Sequence, residues 1–447
     1  MMPHIPDEEL ALYAFDSQMV EPTRRTEIER EVASCMTCRT TLDFMTVSDF
    51  HLSDADVWEP LAGSPTLDAL RDLAARIAAE DEEAETLLAP MLAAPALAAW
   101  GDLTTRLRYR TGGVVRKLIA QAASLHERKP LDALTFADAA ISVAETLPVD
   151  LYPARAVYEL RGTAWKERAN ALSYLGRFAE GLEACNRAEQ AYRKLVASGL
   201  GLSTVAYVRA SILFEQQHYA EAEEAAALAA VGFLHVGDEE RQMRAVHLQG
   251  LIAYECGRLD CAIPLFRRVY DHGEAMDDPL WTARAAQALA HCFVDQGELA
   301  EASMHFHRAL QLFRLLELKI EVIRTEWGLA RVLLAGGRSA DAVRELRKAI
   351  AAFEQASMVT DAALAGLDLA DALLLVGRGG EIARLAAELF TAFRKAGMLA
   401  GALSAIAYLQ EAAERGVVAP VHVDVVRRYL RNRQPDVLFA PPVDEFR

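Results

Sequence analysis

Residues Leu289–Leu310, LAHCFVDQGELAEASMHFHRAL, contain the unit from which most of this chain is built. The stretch reads as a helix, a turn at Gly297 and a second helix, with small Ala290 inside the first helix and Ala302 and Phe306 on one face of the second. The same pattern returns along the chain with a constant period. Such repetition predicts a stack of helix pairs, because one pair alone cannot bury its apolar face.

Three positions of the unit keep their register in six copies. The turn positions are Gly176, Gln217, Gly257, Gly297, Gly337 and Gly377, at an almost uniform spacing. In the helix before them stand Ala169, Ala210, Gly250, Ala290, Ala330 and Ala370, and in the helix after them stand Gly181, Ala222, Ala262, Ala302, Ala342 and Ile382. Small side chains at a crossing point let two antiparallel helices pack closely. A glycine at the turn supplies the left-handed backbone that ends the first helix.

This register resembles the tetratricopeptide-repeat family, in the variety with longer helices found in bacterial signalling proteins. The resemblance covers residues 112 to 415. It implies an all-α fold, a right-handed superhelical solenoid of helix-turn-helix units that binds a protein or peptide. We expect an amino-terminal module at 1–50, a linker with an amphipathic helix at 51–110, the repeat array at 111–418, and a capping helix and tail at 419–447.

The first helix of each pair lines the concave face of such a solenoid. Nearly two turns before the small position, three consecutive copies carry an arginine, at Arg244, Arg284 and Arg324. Positions on the same side of the helices add His247, His291, Trp327 and Arg331. A guanidinium group binds a carboxylate through two parallel hydrogen bonds, so these residues predict a groove for a peptide carboxylate or an acidic segment. In the alternative, each arginine pairs with a glutamate of the adjacent repeat and only holds the array together.

The amino-terminal module carries a closely spaced pair of cysteines, Cys35 and Cys38. Glu31 lies one helical turn before Cys35 on the same face. The module resembles the zinc-binding anti-sigma family of bacteria, in which an early histidine is followed further along by His-x3-Cys-x2-Cys. Here His4 stands in the first place with EELALY after it, and Glu31 stands where the family has its second histidine.

The resemblance implies a zinc ion held by His4, Glu31, Cys35 and Cys38 and a sigma factor as the partner. Zinc takes four ligands in tetrahedral order, and carboxylate is one of the groups that bind it. In a second interpretation the module folds without metal and the cysteines pack as small apolar residues. A CxxC redox pair is a third, but the strand that accompanies it in thioredoxin-like proteins is missing.

An amphipathic helix is predicted between the module and the array, from Thr66 to about Leu88. In anti-sigma domains a helix in this place helps to clasp the sigma factor, so the resemblance implies the same role here. Equally, this helix would cap the first repeat of the array.

Composition narrows the remaining classes of function. The net charge of -17 argues against broad contact with nucleic acid or an anionic membrane. Neither a secretory signal nor a membrane-spanning run is visible, which predicts a cytoplasmic protein. Cys185, Cys256, Cys261 and Cys292 fall in or beside repeat helices, where we expect small buried residues.

No motif of metalloprotease, phosphate-loop, serine-hydrolase or kinase chemistry is present, so the chain is predicted not to be an enzyme. Two hypotheses remain. In the first, the chain is a bacterial regulator whose amino-terminal module restrains a sigma factor while the array binds a second protein or peptide. In the alternative, it is an adaptor whose array assembles an effector protein and whose amino-terminal module is a degenerate zinc finger without metal.

Overall fold

The computed structural model describes residues 5, 9–10, 13, 20–35, 38–39, 42, 65–93, 106–147, 152, 154–195, 198–395, 400–431 and 439. Within these ranges every regular element is helical, which confirms the all-α fold class. The chain divides into two compact units, residues 1–214 with 218–248 and residues 215–217 with 249–447. None of the helices described is both long and apolar enough to cross a membrane.

Before the array, the helices whose bounds lie within the described residues are α1 at Pro22–Ser34 and α2 at Pro65–Ala93. The array proper follows in pairs. These helices are α3 Gly112–Leu125, α4 Pro130–Glu145, α5 Ala154–Tyr174, α6 Phe178–Tyr192, α7 Gly199–Glu215, α8 Tyr219–His235, α9 Glu239–Glu255, α10 Leu259–Ala275, α11 Pro279–Gln296, α12 Leu299–Leu315, α13 Lys319–Ala335, α14 Ser339–Gln355, α15 Val359–Leu375, α16 Ile382–Lys395, α17 Ala400–Glu414 and α18 Pro420–Arg431.

Left-handed residues mark the turns. All six predicted turn positions have positive φ, including Gln217 at 61° and Gly297 at 79°. The turns between pairs are left-handed too, at Gly237, Asp277, Glu317 and Ser357. From 217 to 377 a left-handed residue therefore recurs twice in every period, once within each pair and once between pairs.

The small residues lie where helices cross, as predicted. Ala290, Ala302 and their counterparts in the other copies are buried. At Gly250, a Cβ atom would lie 2.5 Å from the ring of Phe266, so the ring occupies the space that glycine leaves. Ile382 is also fully buried, and a short 3-10 turn at Gly379–Glu381 precedes it.

In the first unit, α2 packs on α3, which favours the capping role over the clasp. Tyr152 donates from its hydroxyl to Glu80 Oε1 at 2.8 Å, and the Gly113 N–H donates to Glu80 Oε2 at 3.2 Å. Arg116 of α3 forms an ion pair with Asp81 at 2.8 Å. Helix α2 is thereby fixed at Glu80 and Asp81 to the first helix of the array.

The second unit extends beyond the last predicted repeat. Its core contains Phe313, Phe353 and Phe393, fully buried rings at the same position of three successive copies, on α12, α14 and α16. The capping helix predicted within 419–447 is α18, and it follows α17 through a left-handed Gly416. The array therefore gains one more helix–turn–helix pair, in which the small-residue register is absent.

Candidate binding surfaces

Three of the four predicted metal ligands come together in the amino-terminal module. The ligand atoms of Glu31, Cys35 and Cys38 all lie within 4.8 Å of one another. Helix α1 ends directly at the cluster, where the Cys35 N–H donates to the Glu31 carbonyl at 2.6 Å. His4 lies outside the described residues.

The module places this cluster on its own apolar core. Leu10, Ile28, Val32 and Leu42 are almost fully buried around Cys38, which is 1% exposed. Burial raises the pKa of the Cys38 thiol, against a backbone hydrogen bond from Ile5 that lowers it.

Two thiols and a carboxylate at this separation fit zinc, which binds thiolate and carboxylate ligands at about 2.0–2.3 Å. Cys38 lies against the backbone of Ile5, the residue that follows His4 in the chain. The donors present are therefore compatible with zinc, and a zinc ion here would be structural.

Among the other cysteines the burial prediction was half right. Cys185 and Cys292 are buried, but Cys256 and Cys261 are exposed. These two lie at the turn between α9 and α10, where the crossing of the two helices does not cover them.

In the second unit, the predicted groove residues form a connected polar network along α11, α13 and α15. Arg331 donates from Nη1 to Nδ1 of His291 at 3.2 Å and lies 3.6 Å from Asp295 and 3.9 Å from Asp368. Trp327 donates from its indole N–H to Asp368 at 2.8 Å. The first helices of three successive pairs are thus joined through Arg331.

The network continues at both ends. Tyr254 of α9 donates to Asp295 at 2.7 Å, and burial raises the pKa of the Tyr254 phenol. At the other end Arg427 of α18 lies 3.3 Å from Asp368 and also bonds Asp371. The C-terminal helix is therefore tied to the same row of side chains.

Arg324 also forms ion pairs with carboxylates. It donates to Asp361 of α15 at 3.1 Å and lies 3.1 Å from Glu321 on its own helix. Although burial disfavours its charge, these carboxylates outweigh burial and raise the pKa of the guanidinium. For Arg324 and Arg331 the geometry matches the alternative in which arginines link adjacent repeats, with aspartate in place of glutamate.

Arg284 differs from Arg324 and Arg331, the other predicted groove arginines of the second unit. Its guanidinium lies over the ring of Trp281, 5.0 Å from the centroid, and within the described part of the chain it forms no ion pair. In the first unit, Arg244 pairs with Glu240 one turn earlier on α9, and His247 lies half-buried on the same helix. Whether the predicted residues bind a ligand stays a prediction.

Sequence reasoning missed the carboxylates that face the arginines. Asp361 follows Arg324 in the sequence by the same number of residues as Asp368 follows Arg331. This interval equals one repeat less about one helical turn, which brings a residue level with its neighbour on the adjacent helix. Opposite charges recurring at this spacing are the signal that predicts the pairs.

Comparison with known proteins agrees with the predicted repeat fold. The tetratricopeptide-repeat family model matches residues 281–355, which span α11 to α14. The fold is a tetratricopeptide-repeat fold. A crystal structure of a Rap protein complexed with competence and sporulation factor superposes with a TM-score of 0.54 at 16% identity, covering 72% of this chain and 87% of that one. The apo form of the quorum sensor NprR from B. thuringiensis gives 0.50 at 13% identity, covering 81% and 99%. No curated protein matches the sequence.

Proposed function

We propose that this chain is a non-enzymatic bacterial regulator in which the repeat array binds a peptide or protein segment and the amino-terminal module binds a sigma factor. Binding by the array is supported by the row of polar side chains on the first helices of the second unit. Repeat folds of this kind typically serve as extended binding surfaces. Similar solved structures include a Rap protein with a bound factor and a quorum sensor, which supports a regulatory role.

Arg284 is the proposed contact for an acidic segment. Arg324 and Arg331 already have carboxylate partners, so a ligand would have to displace those partners before it gained a bond. No group among the described residues bonds to the nitrogens of Arg284, so they are available for a carboxylate while the guanidinium face rests on Trp281.

A labelled tetraglutamate peptide tests this contact on the full chain. Arg284→Glu is expected to weaken its binding by about ten- to a hundredfold, because a charge-assisted hydrogen bond is replaced by repulsion. Arg268→Glu, on an exposed position of α10, is the matched control and should leave the affinity unchanged. Equal affinity of the Arg284→Glu chain and the native chain would refute the assignment.

Support for the second half comes from the cluster of Glu31, Cys35 and Cys38 on a separate apolar core. One electrostatic interaction within the first unit links the module and the array. Burial and Glu29 raise the pKa of Tyr13 to about 12, and the charge of Arg155, at the start of α5, partly opposes them. Tyr13 of the module therefore lies within electrostatic range of Arg155 of the array, which supports coupling between the module and the array.

Coexpression of the full chain with each extracytoplasmic-function sigma factor of the source genome is the decisive experiment. We expect one sigma factor to copurify, and Cys38→Ser to abolish its capture. Arg284→Glu should leave the capture intact, because it lies in the other unit. If none copurifies, the sigma-factor role is wrong.

A second candidate is an adaptor whose amino-terminal module is metal-free. The packing of α2 on α3 favours it, because a helix fixed by Glu80 and Asp81 to the array is not available as a clasp over its described length. Metal content separates the two. A purified full chain that contains no zinc, with a stability unaffected by Cys35→Ser, supports the adaptor.

A further inference from the structure

The first unit contains a polar cavity of about 280 Å³ that none of the preceding sites includes. It opens beside α5, between the end of α6 and the start of α7. Its polar walls come from Glu159, Thr163, Lys166, Tyr192, Ser198 and Arg241. A cavity of this size accommodates one small acid or one residue of a peptide, since whole drug-sized ligands occupy about 300–1,000 Å³.

The floor of the cavity is closely packed and polar. Tyr192 is 7% exposed, and its ring lies between Gly162 of α5 and Gly201 of α7. A Cβ atom at Gly162 would lie 2.8 Å from the ring, and one at Gly201 would overlap it. The Tyr192 hydroxyl lies 2.8 Å from Thr163 Oγ1, which fixes both hydroxyls at the base of the cavity.

Two cations in the wall retain hydrogen-bond donors. Lys166 pairs with Glu167, whose second oxygen lies 3.0 Å from His126 Nε2, so Glu167 lies between Lys166 and His126. Arg241 reaches Asp238 through Nη1, while its Nε and Nη2 bond to no group among the described residues. A guanidinium and an ammonium with donors to spare are suited to an anion.

The one carboxyl group in the wall is already paired. Glu159 accepts from Nε of Arg155 at 3.2 Å, and Arg155 is 7% exposed. Burial raises the pKa of Glu159 despite this partner. The ion pair with Arg155 partly offsets the charge of this carboxylate, which leaves Lys166 and Arg241 as the cations that face a ligand.

We propose that this cavity binds a carboxylate group, which Lys166 and Arg241 hold above the Thr163–Tyr192 floor. The site depends neither on a sigma factor nor on Arg284. The carboxylate comes either from a small free acid or from the C-terminus of a peptide, and the probes distinguish these sources.

Isothermal titration calorimetry of the full chain tests the site with three probes: succinate, acetyl-trialanine with a free carboxyl terminus, and the same peptide as its amide. Saturable binding of succinate alone identifies a small acid as the ligand class. Binding of the free-acid peptide alone identifies a chain terminus. The amide should not bind in either case.

Arg241→Met is the informative variant, because its side chain is 45% exposed and the change disturbs little of the interior. We expect about a ten- to hundredfold loss of affinity, the effect of removing one charged hydrogen-bond partner. Arg187→Met, at an exposed ion pair on α6, is the matched control, and Arg284→Glu should also leave binding unchanged. Absence of saturable binding by both carboxylate probes, equal binding of the amide, or undiminished affinity of Arg241→Met overturns the proposal.

Discussion

Replacement of Gly297 by alanine isolates the cost of the left-handed turn. Gly297 has φ 79° and ψ 8°, and its N–H donates to the Val294 carbonyl at 3.0 Å. A Cβ atom built there would meet no atom within 4 Å, so alanine adds no steric clash with the rest of the protein. The whole cost is backbone strain, which for an L-residue in the left-handed region amounts to about 1–2 kcal/mol.

Amide hydrogen exchange of the full chain measures this cost locally. A loss of about 1–2 kcal/mol corresponds to about 5- to 30-fold faster exchange through local opening of α11 and α12. The matched control is Gly380→Ala, where a Cβ atom also meets open space but φ is not positive. Equal exchange in the two variants would show that the turn conformation does not limit stability, and the reasoning would fail.

Three further predictions follow from the geometry. Glu317→Gly, at a left-handed turn with φ 57°, should stabilise the chain by about 0.5–1 kcal/mol in urea unfolding, because glycine adopts this conformation without strain. Arg331→Met should destabilise it by about 1–2 kcal/mol, since Asp368 loses one of its partners. Burial raises the pKa of Glu167, but Lys166 and His126 outweigh burial and lower it to about 2. Its ionised form therefore contributes about 3 kcal/mol above the unfolded pKa near 4.5, and this stability is lost as pH falls towards 2.

Each of these predictions has a clear contrary result. For Glu317→Gly it is an unfolding midpoint at or below that of the native chain. For Arg331 it is a double-mutant cycle with Asp368→Asn that gives no coupling energy. For Glu167 it is a Glu167→Gln variant that still loses stability through the same acid range as the native chain.

The helical architecture was predictable from sequence because its determinants are local. Glycine at a turn and alanine at a crossing each leave a signature at one position, and the period of the array repeats that signature from copy to copy. The turns between pairs were not predicted, because Asp277, Glu317 and Ser357 adopt left-handed backbone without being glycine. Packing of the flanking helices holds these residues there, which no local preference reveals.

The candidate groove was predictable only in part, for a related reason. The repeat period predicts that Arg324 and Arg331 lie on one side of α13. In the structure both contact aspartates of α15. Their partners depend on how far one helix is shifted along the next, which is a property of the packed pair. The cavity beside Tyr192 was missed because it is formed by glycines and a turn, where the repeat pattern carries no signal.

Because the left-handed turns recur at a constant interval, one repeat can be removed without disturbing the register of the others. Residues Glu298 and Arg338, which follow the turn glycines at 297 and 337, have nearly the same backbone angles. Removal of residues 298–337 would join Gly297 to Arg338, whose backbone conformation resembles that of Glu298. Ala342 and Phe353 would then take the places of Ala302 and Phe313. Loss or duplication of one segment of repeat length in the gene would therefore still encode a continuous array, so recombination is a route by which the number of helix pairs changes.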